Sequence, residues 1–332
     1  MSAYVVRRLL LMAPTLFLVT LIVFFSVRFI PGNVIELMIA EMVGEEATTL
    51  DITLTEESLK HQMGLDVPVH IQYGRWLGIL PQENGKIHGI IQGDLGDSLW
   101  RKTSVSEEIF QRLSVSFELG LLAFMIQLII SLPIGVYSAI RQDTARDYAG
   151  RTFAILAISI PSFWLATMVI VYPSIWWGWA PEIQLIPLVE NPIGNLGQFI
   201  VPAFIMGLLA TGGTMRITRT MMLEVLRQDY IRTAWAKGLS EWTIIIRHAL
   251  KNALIPVVTV IGLIFPMLVA GSVIIESIFA LPGVGRLLIN ALNTRDYPII
   301  SGINLLTASL ILVINLVVDL TYAYLDPRIR YK

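Results

Sequence analysis

Six apolar runs, each close to twenty residues long, constrain this chain more than any other feature. A bilayer core of about 30 Å is crossed by roughly 20 apolar residues in helical conformation. The runs at 9–30, 116–140, 152–173, 199–215, 253–280 and 299–325 meet that requirement. Charged residues are only 15% of the chain and the mean hydropathy is +0.69, whereas a soluble domain carries about a quarter charged residues. The expected fold is therefore an all-α polytopic membrane protein with six transmembrane helices. Arg7 and Arg8 precede the first run, which resembles a signal peptide. However, it is longer than a cleavable core of roughly 7–15 residues, and Arg28 to Pro31 follow it in place of a small-residue cleavage site, so a retained helix is expected.

Orientation follows from basic residues in the short connections. Arg7 and Arg8, then Arg141, Arg146 and Arg151, then seven Lys or Arg residues within 216–251, then Arg328, Arg330 and Lys332 fall on alternate connections that share one side. The opposite side has no Lys or Arg in 174–198 and only Arg286 and Arg295 in 281–298. These counts place both termini in the cytoplasm; the expected location is the cell (inner or plasma) membrane. The expected organisation is a cytoplasmic N-terminus and first helix (1–30), an extracytoplasmic segment (31–115), a transmembrane core (116–325) with a cytoplasmic loop at 216–252, and a cytoplasmic tail (326–332). The outer segment is expected to form short helices on the membrane surface, with Ile71, Tyr73, Trp76, Leu77 and Ile79 available to pack. Trp176, Trp177 and Trp179 suit an interfacial anchor.

Several chemistries lack their residues. The chain has no cysteine, so disulfides and thiolate metal sites are excluded, and its four histidines, His61, His70, His88 and His248, form no close ligand pair in sequence. No GxxxxGK[ST] loop, HExxH pair or GxSxG turn occurs. No enzymatic activity, bound cofactor or metal is expected in this chain, nor a nucleic-acid partner, and any use of ATP must come from another subunit. Glu118, Glu276 and Asp319 lie near span ends. Each is either an intramembrane functional group or a carboxylate that reaches water or a neighbouring helix.

The polar stretch DYIRTAWAKGLSEWTIIIRHALKNALIP carries helix punctuation: Asp229 as an N-cap, Gly238 as a helix stop, Ser240 as the cap of a second helix. A helix over 230–237 sets Tyr230, Ala234 and Gly238 on one narrow small-residue face, suited to close approach by a partner. An amphipathic loop on lipid headgroups is the competing reading. At 281–285, LPGVG offers either a merely tight turn or one whose glycines take backbone shapes closed to other residues, with positive φ at Gly283, and Pro133, Pro161 and Pro266 interrupt apolar spans.

These stretches resemble the permease subunits of ABC importers, in the oligopeptide/dipeptide/nickel branch. DYIRTAWAKG and RHALKNALIP are similar to that branch's version of the coupling loop, although Arg232, Thr233 and Lys251 depart from the general motif. GDLGDSL at 93–99, IPSFWLA at 160–166, FALPGVGRLLINALNTRDYPII at 279–300 and LDPRIRY at 325–331 extend the resemblance over nearly the whole chain, in its first-permease form. It implies a type I importer in which this chain pairs with a second homologous permease, two cytoplasmic ABC ATPases that bind ATP-Mg, and an extracytoplasmic solute-binding protein. It also implies import of peptides or a related small solute, ATPase coupling through Asp229, Tyr230, Ala234, Lys237 and Gly238, and an outer gate or binding-protein docking role for Pro282, Gly283 and Gly285. The loop at 141–151 is either a secondary contact or a plain solvated turn. A secondary transporter or channel subunit is the alternative, and it would need coupling charges near mid-span or an inverted repeat.

Overall fold

The computed structural model describes residues 2–29, 35, 39, 56–61, 63–270 and 272–325. Those residues are mostly helical: α1 Ser2–Arg28, α2 Val69–Leu77, α3 Val105–Ile140, α4 Ala145–Ser159, α5 Ser162–Trp177, α6 Pro192–Leu226, α7 Asp229–Ala236, α8 Lys251–Ala270, α9 Val273–Ile278, α10 Val284–Thr294 and α11 Tyr297–Leu325. Five helical stretches are long and apolar enough to cross a membrane, and a sixth crossing results if the bent pair α4 and α5 is one span.

Helix ends depart from the apolar runs for identifiable reasons. The second span begins at Val105, well before 116, because Glu107 and Glu108 suit the positive end of a helix and do not interrupt it. Asn191 caps α6 by accepting from the Gly194 N–H at 3.0 Å, with Pro192 at the first helical position. At its other end α6 runs on through Arg216 and Arg219 to Leu226, so the polar residues 216–226 continue a helix and do not form a loop. The third run, expected as one helix over 152–173, is instead broken by 89° between Ser159 and Ser162. Ile160 is extended (ψ 119°) and Pro161 has ψ 131°, as required where a proline lacks an N–H and crowds the residue before it. Pro133 and Pro266 lie inside continuous helices.

The chain divides into two compact units. The first comprises 1–10, 114–286 and 310–332. Its core packs Leu119 and Ala123 of α3 against Phe199, Ala203 and Met206 of α6, with Ala166 of α5 and Ile275 of α9. Glycines bring the backbones together: a Cβ on Gly207 would lie 2.6 Å from the Ala123 carbonyl, and one on Gly212 2.5 Å from the Ala154 carbonyl. Interhelical polar contacts accompany this close packing, such as Gln127 Nε2 donating to Thr214 Oγ1 at 2.6 Å.

The second unit comprises 11–113 and 287–309. Tyr73 and Trp76 of α2 pack on Phe24 of α1, with ring centroids 5.0 and 5.5 Å apart, and the Tyr73 hydroxyl meets Thr20 Oγ1 at 2.8 Å. Leu77 is buried, whereas Ile79 is exposed. GDLGDSL meets the 292–300 stretch here: Asp296 accepts from Ser98 Oγ at 2.5 Å and from the Leu99 N–H at 3.3 Å, and Trp100 Nε1 donates to the Thr294 carbonyl at 2.8 Å. Residues 326–331 of the LDPRIRY ending and the side chain of Asp319 lie outside the described residues.

Candidate coupling segment and outer turn

The expected short polar helix forms as α7. Gln228, extended at ψ 148°, occupies the N-cap position, and Asp229 is the first helical residue. Asp229 was expected as the cap; its carboxylate instead sits 3.5 Å from Arg232 Nη1, both side chains being exposed. The C-terminus closes as the sequence implies: Gly238 adopts φ +75° and donates to the Trp235 carbonyl at 3.0 Å, while the Leu239 N–H donates to the Ala234 carbonyl at 3.4 Å. This pair of bonds is the Schellman arrangement, in which a left-handed glycine satisfies the last carbonyls of a helix. Ser240 then caps the next turn, accepting from the Thr243 N–H at 3.4 Å.

The orientation of the small face differs from the expectation. Ala234 is buried together with Ile231, in a cluster with Ala139, Met222, Ile244, Ile245, Ala249 and Ala253. Tyr230 is held from the same side, its hydroxyl accepting from Asn252 Nδ2 at 2.8 Å and donating to the His248 carbonyl at 3.4 Å. Ala234 therefore helps to seat α7 on its own chain, together with Ile231, which lies outside the stripe, in the same buried cluster as Ile244, Ile245 and Ala249. Arg232, Thr233, Trp235, Ala236, Lys237 and Gly238 face outward. Trp235 is 49% exposed, Trp242 is 72% exposed, and a Cβ on Gly238 would meet nothing within 4 Å.

The 141–151 loop is not a plain solvated turn. Asp147 is fully buried and accepts from Arg219 Nε at 2.7 Å, Arg219 Nη2 at 2.6 Å and the Asp143 N–H at 3.0 Å, which ties the start of α4 to α6.

In the 281–285 turn the expected positive φ at Gly283 is absent; the left-handed residue is Ala280, at φ +56°. The glycines are needed for space. A Cβ on Gly283 would fall onto the Glu276 carboxylate, and one on Gly285 would lie 2.6 Å from Val273 Cα. Both glycines are buried and Pro282 is partly exposed. Glu276 is 0% exposed and is bonded to Ser116 and Ser272, partners that nothing in the sequence pairs with it. Among the described residues, the one group of three possible metal-ligating side chains is His61, Asp66 and Glu83. All three are exposed, and Glu83 already pairs with Arg75 Nη1 at 3.3 Å.

These features define a polytopic helical membrane protein with a helix-capped polar segment between two of its long apolar helices. Residues 131–331 match the family described as binding-protein-dependent transport system inner membrane component, and residues 1–120 match its N-terminal counterpart. The chain is 36% identical over 334 residues to the oligopeptide transport system permease protein AppB of Bacillus subtilis and 37% identical over 355 residues to the dipeptide transport system permease protein DppB of Escherichia coli, with 100% of each chain covered. The solved inward-facing MetNI methionine ABC transporter shares the fold, with TM-score 0.52, 16% identity, and 66% of this chain and 96% of that chain covered. The chain belongs to the binding-protein-dependent transport system inner membrane component family: it is a permease subunit of an ABC importer, a transport subunit of a larger complex and not an enzyme. Membership supports the importer reading over a secondary transporter or channel.

Proposed function

We propose that this permease forms half of the translocation pathway of an importer for peptides, pairing with a second homologous permease, two cytoplasmic ATPases that bind ATP-Mg, and an extracytoplasmic solute-binding protein. The full-length relatives named for oligopeptide and dipeptide transport support the substrate class. Both termini and the α7 segment face the cytoplasm of a cell or inner membrane, as the distribution of Lys and Arg supports.

The observation that carries the coupling role is the build of α7. The buried pair Ile231 and Ala234 fixes the helix to its own chain, while Trp235 and Lys237 present an outward apolar and basic face beside the open left-handed Gly238. In this reading Asp229 and Lys237 border the ATPase contact, Tyr230 and Ala234 transmit its movement inward, and Gly238 gives the ATPase close access to the backbone. Nucleotide-driven closure biases two arrangements of the spans and so alternates access. The 281–285 turn, with Pro282, Gly283 and Gly285, is the outer gate or the contact for the binding protein. The test is uptake of a tritiated peptide mixture by cells that lack this chain and by cells to which it is returned. Restored uptake is expected; uptake that does not depend on the chain contradicts the substrate class.

A further inference from the structure

We propose that Glu276 is a positioning residue that locks the 281–285 turn to α3, so that the turn and that end of α3 move as one body during transport. The proposal rests on the reading of this turn as a moving outer element. Glu276 Oε1 accepts from Ser116 Oγ of α3 at 2.6 Å and from Ser272 Oγ, and Oε2 accepts from the Arg286 N–H at 3.0 Å. Ser116 Oγ in turn accepts from the Val284 N–H at 2.8 Å.

Two of the N–H groups in the first turn of α10, which have no partner inside the helix, are therefore satisfied by one carboxylate and by the hydroxyl that the carboxylate orients. The Arg286 guanidinium does not pair with Glu276; its Nη1 donates to the Ala280 carbonyl at 2.6 Å. The carboxylate thus meets the positive end of a helix, not a side-chain cation. Gly283 and Gly285 have no side chain where the carboxylate lies. A carboxylate that is 0% exposed is costly to bury unless its hydrogen bonds are made, and here those bonds join three separate elements: α3, α9 and the turn leading into α10. A turn that only reversed the chain direction would need none of this.

The experiment uses the full importer, with its second permease, ATPases and binding protein, in proteoliposomes supplied with a tritiated peptide mixture. Ser116→Ala and Glu276→Gln are expected to assemble at normal yield and to hydrolyse ATP normally without binding protein. Both should lose binding-protein-dependent uptake by roughly tenfold or more, the loss expected for a broken hydrogen bond to a charged group. Ser116→Thr, which keeps the hydroxyl, should restore uptake. Reduced yield with normal uptake per assembled complex would show a merely structural tie and overturn the proposal. If Gly283→Val blocks uptake while Ser116→Ala and Glu276→Gln transport normally, the positioning role falls and the outer-turn reading stands. If all three variants transport normally, the outer-turn reading falls as well.

Discussion

Asp147 and Arg219, 72 residues apart in sequence, meet in a two-point ion pair in which the carboxylate is fully buried and the guanidinium partly exposed. The pair fixes the beginning of α4 to the polar extension of α6, about three helical turns before α7 begins. Met222 of α6 lies in the same buried cluster as Ile231 and Ala234 of α7, so under the proposed coupling role a movement of α7 would reach α6, and α4 through this ion pair.

Breaking one side of this pair leaves a buried charge without its partner, a defect that typically costs about 3–5 kcal/mol. Asp147→Ala and Arg219→Ala should each lower the thermal unfolding temperature of the purified permease in detergent. The charge-swapped double variant, Asp147→Arg with Arg219→Asp, should recover part of the loss. Single variants as stable as the native chain would show that the pair does not hold α4 to α6.

Replacing Gly283 with Val should impair uptake through crowding, since the added carbons fall on the Glu276 carboxylate and overpacking costs about 1–3 kcal/mol. Gly283→Ala should show the same defect in milder form, because strain here follows volume and not backbone conformation. Equal, normal uptake rates for both variants would contradict a tightly packed turn.

The orientation is testable because the chain has no cysteine of its own. A cysteine replacing Lys86 should react with a membrane-impermeant thiol reagent on intact cells, and one replacing Lys237 only after permeabilisation. Labelling in the reverse order would invert the topology.

The legible part of this molecule was whatever a local pattern encodes. The apolar runs located the spans, and Gly238 and Ser240 marked a helix stop and a helix start that the backbone adopts. Pro161 was legible as a disturbance but not as an 89° break, because how far a helix turns at a proline depends on what packs around it. The direction in which Ala234 faces was not legible: a stripe of small residues is equally suited to a partner and to the chain itself, and the long-range cluster with Met222 and Ile245 decided between them. The partnerships of Glu276 with Ser116 and of Asp147 with Arg219 span 160 and 72 residues, and no periodicity encodes such distances. Gly283 was recognised as necessary for the wrong reason, since flexibility and absence of volume look alike in a sequence.

Coupling through α7 is read out by ATP-driven uptake of a labelled peptide mixture by the reconstituted importer carrying substitutions at Gly238. Gly238→Ala adds only left-handed strain, about 1–2 kcal/mol, because a Cβ there touches nothing in this chain. Gly238→Glu adds the same strain together with a charged side chain on the outward face. Gly238→Ala should retain most of its ATP-driven uptake, while Gly238→Glu should insert into the membrane but either release its ATPases or hydrolyse ATP without importing. Normal ATP-driven uptake by Gly238→Glu, with the ATPases retained through purification, would contradict the assignment of α7 as the coupling element.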